Sequence, residues 1–352
     1  LHGSEHSFPT RRSSDLRGRL AFLMGECYRR YGNSARALAA YRNAARYKNT
    51  DSTLLREEGA MMLLNGDYKN ALSALKDYVA AHPEDFVALR AYSGAQEAPT
   101  RRAKGSLYTV KPAALFNNNR TDYAPSLLIE GKDRQLYFTT TRTAALGNQL
   151  SGITGLKNGD IYVAGVDEKG NWKRPEPVTP VNTPDDEGAV CFSPDGKTMY
   201  LTVCTTHPQY PRPARIYTST RADASWSKPQ PLELISDTLS NIAQPAVSPD
   251  GRWLYFVSDM PGGEGETDLW RAELKGNKDS RIVENLGPQL NTPGREMFPT
   301  FRPDGTLYFS SDGRGGMGGL DLFHAQEDTL TGRWTVEPLP PPLNSQGNDF
   351  GM

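Results

Sequence analysis

Three glycines, Gly313, Gly315 and Gly318, spell G-x-G-x-x-G within LYFSSDGRGGMGGLDLF (307–323), behind a strand-like LYF. That spacing is the fingerprint by which a glycine-rich turn and a helix N-terminus cradle a pyrophosphate. The context does not supply the helix, because the following DLFHAQE (321–327) alternates like a strand. The same loop stands one unit earlier as SDMPGGEGETDLW (258–270) and lacks the spacing. The glycines are therefore expected to let a wide loop turn sharply at a sheet edge. Asp268 and Asp321, which end these loops, are expected to bond to loop amides, and no nucleotide or other cofactor is expected.

Other reactive residue types are equally scattered. His82, His207 and His324 have no ligand spacing. Cys27, Cys191 and Cys204 form neither a metal motif nor a disulfide framework, and Cys191 and Cys204, on one predicted hairpin, read as free thiols. There is no G-x-S-x-G elbow, Walker loop, EF-hand loop or C-x-x-C. NTPDDEGA (182–189) is acidic enough to suggest calcium, but it falls at a repeated junction and reads as a solvated turn. Arg215 replaces the aspartate of Asp268 and Asp321 in one unit, which argues against an essential carboxylate there. The expectation is a protein that is not an enzyme, with no catalytic, cofactor-binding or metal-binding residue.

The elements that carry these residues are repeats. The chain has 352 residues and a net charge of −1, which gives no bulk field for nucleic acid, and no apolar run long enough to span a membrane as a helix. Residues 8–16, FPTRRSSDL, read like a translated sequencing adapter, so 1–16 are set aside as non-native and disordered, with His2 and His6. The native N-terminus and any signal peptide are expected to precede Leu1. RGRLAFLMGEC (17–27) has too short an apolar run for a signal peptide, and Glu26 suits no lipidation site at Cys27.

Over 17–98, Gly25, Tyr28, Gly32, Ala37, Tyr41 and Ala44 recur 34 residues later as Gly59, Met62, Gly66, Ala71, Leu75 and Tyr78, and Pro83 closes the second unit. That period, with small residues at fixed offsets, is the tetratricopeptide pattern of paired helices, and EDFVALRAYSGAQ (84–96) opens a capping helix. Such a stack either offers a concave face to a peptide or only braces the next domain.

Residues 99–116 form a linker, and from 117 to 352 one sentence is written four times: APSLLIEGKDRQLYFTT, AVCFSPDGKTMYLTV, QPAVSPDGRWLYFVS and FPTFRPDGTLYFSS. Each is a predicted hairpin, turning at Asp195–Gly196, Asp250–Gly251 and Asp304–Gly305 in the last three. A third strand then opens at Asp160, Arg215, Asp268 or Asp321, and a fourth follows. Four strands per unit at a period of about 54 residues predict an incomplete β-propeller behind a helical repeat, an α + β multidomain chain. Asn117, Asn182, Asp237, Asn291 and Asn344 mark the junctions, each eight residues before Pro125, Val190, Pro245, Pro299 and Met352. Five marks imply four blades and the start of a fifth, cut at Met352. Tyr137, Tyr255 and Tyr308 recur at one blade position and read as packing between blades.

SPDG-x-x-LYF-x-S followed by GG-x-G-x-x-DL[WF] resembles the TolB-type, WD-like propeller repeat. With tetratricopeptide units before it and LN-[ST] at the junctions, the chain resembles the PorE-like, OmpA-family envelope proteins of Bacteroidetes. The resemblance implies a lipoprotein scaffold of the periplasm, associated with the outer membrane, whose partners are envelope proteins, among them type IX secretion machinery. Peptidoglycan would be held only by an OmpA-type domain beyond Met352, and neither nucleic acid nor a transmembrane span is implied. Two alternatives remain: the propeller gate of a prolyl-oligopeptidase-like peptidase, and a TolB-like module that captures a peptide or glycan.

Overall fold

The computed structural model describes residues 10–146, 150, 157–205, 213–223, 225–235, 239–275 and 281–352. The chain divides into two compact units. One gathers the chain up to Tyr108 with Asp312–Asp321 and Pro340–Asn348; the other holds Thr109–Ser311, Leu322–Leu339 and Asp349–Met352.

Five helices build the first unit: α1 (Thr10–Arg30), α2 (Ser34–Arg46), α3 (Leu54–Leu64), α4 (Tyr68–Ala81) and α5 (Phe86–Ala103). Helix α1 starts at Thr10, inside the segment set aside, and α5 runs through Pro99 past the expected end at 98. The 34-residue recurrence has a direct physical meaning. A Cβ added at Gly25 would lie 2.4 Å from the Tyr41 ring, and one added at Gly59 would lie 2.4 Å from Leu75, so each glycine admits a bulky residue of the paired helix. Ala37 and Ala71 are fully buried in the same core. Helices α1 and α3 end alike: Gly32 and Gly66 take φ of +76° and +75°, and the amides of Asn33 and Asp67 reach back to the Tyr28 and Met62 carbonyls at 2.9 Å. Pro83 follows α4 directly after its cap, His82.

The glycine stretch 312–321 belongs to this unit, and Met317 is buried in the helical core. None of Gly313, Gly315, Gly316, Gly318 and Gly319 has positive φ. The expectation that they turn the chain sharply is therefore corrected: they provide room. A Cβ on Gly94 of α5 would lie 2.5 Å from the Gly316 carbonyl oxygen, and one on Gly318 would lie 2.4 Å from that of Gly347.

The second unit is a β-propeller of four four-stranded antiparallel blades. Blade one is β1 (Asp122–Glu130), β2 (Asp133–Thr140), β3 (Asp160–Gly165) and β4 (Glu176–Pro177). Blade two is β5 (Asp186–Phe192), β6 (Thr198–Cys204), β7 (Arg215–Thr220) and β8 (Gln230–Pro231). Blade three is β9 (Ile242–Val247), β10 (Trp253–Ser258), β11 (Asp268–Glu273) and β12 (Val283–Asn285). Blade four is β13 (Glu296–Phe301), β14 (Leu307–Ser311), β15 (Asp321–Asp328) and β16 (Arg333–Pro338). In the SPDG turns the aspartate pins the amide two residues on, as Asp195 does for Lys197 at 3.1 Å and Asp250 for Arg252 at 3.0 Å. Blades meet through aromatic rings: Tyr137 lies 4.8 Å from Phe192, and its hydroxyl accepts the Trp226 indole N–H at 3.0 Å. Tyr255 meets Phe301 at 4.7 Å.

Alanine normally exceeds glycine inside a helix by about 1 kcal/mol. At position 94 the crowded carbonyl reverses that sign. Gly94→Ala is expected to destabilise the protein by about 1–3 kcal/mol, the usual cost of overpacking, as read from the shift of the urea midpoint.

Candidate functional site

The site grows from one backbone irregularity. Each inner strand carries a β-bulge, and at it a non-glycine residue has positive φ: Ala124 (+48°), Ala189 (+44°), Gln244 (+54°) and Phe298 (+53°). Gly351, at +70°, repeats the conformation in the segment Asp349–Met352, where Phe350 stacks on Phe298 at 5.0 Å. The bulge turns the amide toward the preceding blade. Ala189 N–H donates to Thr139 Oγ1 at 2.9 Å, and Gln244 N–H donates to Thr202 Oγ1 at 2.8 Å. Blade three has Val257 where the threonine should be, and there Phe298 N–H donates to Gln244 Oε1 at 2.7 Å instead.

The next residues, Pro125, Val190, Pro245, Pro299 and Met352, line one narrow opening of about 30 Å³, room for about one water. Above it the inner strands enclose a pocket of about 500 Å³, within the usual range of ligand sites. Its lining includes the apolar Ala189, Ala243, Val257, Met297 and Phe298, and Tyr123 meets Phe298 edge-on at 6.4 Å. Asp186, Asn241 and Asp259 stand among its lining residues. Asp259 accepts the amide and side-chain N–H groups of Asn241 at 2.6 and 2.7 Å, and Asp186 accepts the Gly159 amide at 2.8 Å. Burial pushes the Cys204 thiol up to about 12, and nearby Asp186 adds to the shift.

The junction marks act as clamps between strands. Asn182 Oδ1 accepts the Ile161 amide and its Nδ2 donates to the Ile161 carbonyl, both at 2.9 Å; Asn291 holds Leu269 in the same way at 2.8 and 3.0 Å. Asn344 is buried. Asn117 is exposed, and its neighbour Asn118 bonds to Asp122 instead. Asp237 and His207 lie outside the described residues. Asp160 accepts the Leu146 amide at 2.7 Å, and Asp321 accepts those of Met317 and Gly318 at 3.0 and 3.1 Å. Asp268 accepts the Glu264 amide, and Arg215 caps the Ala214 carbonyl at 3.1 Å. His82 packs on Tyr78, His324 faces Glu337 at 3.6 Å, and all three cysteines are free. Among the described residues no cluster of three or more His, Cys, Asp or Glu could hold a metal, and no helix is long and apolar enough to cross a membrane.

One acidic turn departs from expectation. NTPDDEGA is not fully solvated: Glu187 is 1% exposed and accepts from the amide and hydroxyl of Thr183. Glu296 of NTPGRE repeats the arrangement with Thr292 at 2.8 Å and adds the Ser311 hydroxyl at 2.6 Å. The recurrence of N-T-P-x-x-E was the available signal. Burial pushes the Glu187 carboxyl up to about 8, with Asp160 and Asp185 adding to the shift against its Thr183 bonds. Burial also lifts Asp160, to about 6.

No protein-family model matches the chain, and no curated protein matches its sequence. Solved structures do. A protein of unknown function from Dyadobacter fermentans is similar at 16% identity, with 68% of this chain and 70% of that one covered and a TM-score of 0.42. A putative TolB from Agrobacterium tumefaciens is similar at 20% identity over 64% of this chain and 84% of that one, with a TM-score of 0.35. An α-L-arabinofuranosidase from Lactobacillus brevis is similar at 14% identity over 64% and 74%, with a TM-score of 0.37. At such values the likenesses assign no activity, substrate or partner to this chain. One expectation is nonetheless corrected. Arabinofuranosidases and a β-xylosidase stand among the similar structures, so this architecture is no ground for excluding catalysis, and the expectation of a protein that is not an enzyme does not stand.

Thr139→Val copies the side chain that blade three carries at the same position but leaves the Ala189 amide without its acceptor. A loss of about 1–3 kcal/mol is expected in urea denaturation, the cost of an unpaired buried donor. Glu187 holds its proton more tightly folded than unfolded. Its contribution to stability is fully present below the ordinary value of 4.5 and is lost as pH rises through about 8. Glu187→Gln is expected to flatten the decline in melting temperature across that window, as read by scanning calorimetry against the wild-type protein.

Proposed function

We propose that this chain is a partner-binding scaffold of the bacterial periplasm, associated with the outer membrane, and that the axial pocket of its propeller takes a peptide segment of an envelope partner. The observation that carries the reading is the pocket of about 500 Å³, whose lining combines the apolar Ala189, Ala243, Val257, Met297 and Phe298 with the polar Asp186, Asn241 and Asp259. A few placed polar groups in an apolar cleft suit an extended peptide, whose side chains meet the apolar residues while its amides meet the polar ones. The cellular compartment and the secretion-type partners rest on the SPDG and GG-x-G-x-x-DL[WF] repeats and on the helical recurrence before them. Attachment to peptidoglycan through a separate OmpA-type domain belongs to the same proposal.

The test places a photo-crosslinking amino acid at Met297, in the pocket lining, in cells. The expected product is an adduct with an outer-membrane or secretion protein that disappears when Ala243→Trp fills the cavity. Adducts that survive Ala243→Trp would remove the pocket from the interaction. Adducts with carbohydrate alone would replace the peptide with a glycan.

A further inference from the structure

In the helical unit, the segment 312–321 is held as a peptide ligand would be. Arg101 Nη2 donates to the Gly315 carbonyl at 3.1 Å, the Tyr68 hydroxyl to the Met317 carbonyl at 3.0 Å, and Arg90 Nη1 to the Gly319 carbonyl at 3.4 Å. These carbonyls are two residues apart on a chain that bends at 312–315 and 317–320, and the Met317 and Gly318 amides both turn inward to Asp321. Between them the Met317 side chain, 1% exposed, enters the core formed by α2–α5. The segment lies close against α5: a Cβ on Gly315 would lie 2.8 Å from Ser93 Oγ, and a Cβ on Gly94 would strike the Gly316 carbonyl oxygen, while a Cβ on Gly316 would meet the segment's own Asp321 carboxylate.

We propose that the face built by Tyr68 of α4 and by Arg90, Gly94 and Arg101 of α5 is a peptide-recognition surface, and that residues 312–321 occupy it in cis. Its ligand class is a bent, glycine-rich loop with one unbranched apolar anchor. Donors from the helices read the ligand's backbone, the core reads the anchor, and Gly94 lets the ligand's backbone approach α5 closely. This is side-chain donation to a peptide backbone, not addition of a strand to a sheet edge. Any partner segment of this chemistry competes with the chain's own, so its apparent affinity falls by the fraction of molecules in which 312–321 is out of place.

The test uses a fluorescent synthetic peptide of sequence SDGRGGMGGLD, residues 311–321, added to the full chain and followed by anisotropy. Met317→Asp weakens the cis segment, so this variant is expected to bind the peptide at least about tenfold more tightly than wild type does. A peptide carrying aspartate in place of its methionine is expected to bind neither protein. Equal binding by wild type and variant would overturn the proposal, as would no binding by a variant that keeps its helical circular dichroism. Should Met317→Asp fail to fold, trypsin cleavage after Arg314 decides. The double variant Tyr68→Phe, Arg101→Ala is expected to be cut several-fold faster than wild type, and an unchanged rate would overturn the proposal.

Discussion

Each inner strand of the propeller passes through a left-handed residue, and in blades two to four the amide exposed there finds an acceptor in the blade before it. A non-glycine residue at positive φ costs about 1–3 kcal/mol and persists only where its surroundings over-determine it. The determining bonds here run from Ala189 to Thr139, from Gln244 to Thr202 and from Phe298 to the Gln244 side chain. The third shows that the constraint is the bond and not the residue. Val257 cannot accept, and a glutamine on the inner strand reaches across in its place. The bulges re-aim the strands, as bulges do beside functional sites. They bring five positions 53–65 residues apart to one small opening and leave the larger pocket above it.

This arrangement explains which features could be read from the residue string. The SPDG hairpins were legible because their chemistry is local: aspartate pins an amide two residues away and glycine takes the left-handed position. The junction asparagines were legible as a period, but their role was not. Asn182 and Asn291 clamp backbone 21 and 22 residues away, a distance no local rule spans. The residues at positive φ were illegible. Ala124, Ala189, Gln244 and Phe298 share no side-chain chemistry, and their conformation is imposed by the ring. Glu187 was misread for a related reason: its turn looks acidic and wet in one dimension, yet the carboxyl sits 1% exposed among atoms from elsewhere in the chain.

The glycine stretch shows how a reading of spacing can rest on an incomplete reason. A strand follows it and no helix N-terminus, yet the glycines do not turn the chain through positive φ. They are spaces for neighbouring atoms: the Gly347 carbonyl oxygen at Gly318, the Asn348 side chain at Gly319 and Ser93 of α5 at Gly315, while Gly94 of α5 makes room for the Gly316 carbonyl oxygen in return. Spacing alone cannot separate the uses of glycine for curvature, for phosphate approach and for close packing. What separates them is the neighbour, and here the neighbours are a helix more than 200 residues away in sequence for Gly315 and Gly316, and the segment 346–348 for Gly318 and Gly319.

The two units therefore solve recognition in physically different ways. On the helical face, donors and a single anchor are matched to a bent glycine-rich loop, and the match is already satisfied by Tyr68, Arg90 and Arg101 against the chain's own carbonyls. A surface so satisfied gains little from a second ligand unless the first is released, because the new bonds only replace old ones. At the propeller axis the apolar Met297, Val257 and Phe298 line a cavity of about 500 Å³. Removing that lining from water is free energy that an incoming group can still collect, at roughly 25 cal/mol per Å² of apolar surface covered. The inner-strand bulges hold that lining in place before any ligand arrives, which lowers the ordering cost of binding. The axial pocket is thus the place where a new contact yields the larger net gain, and the helical face is the place where binding is regulated by competition.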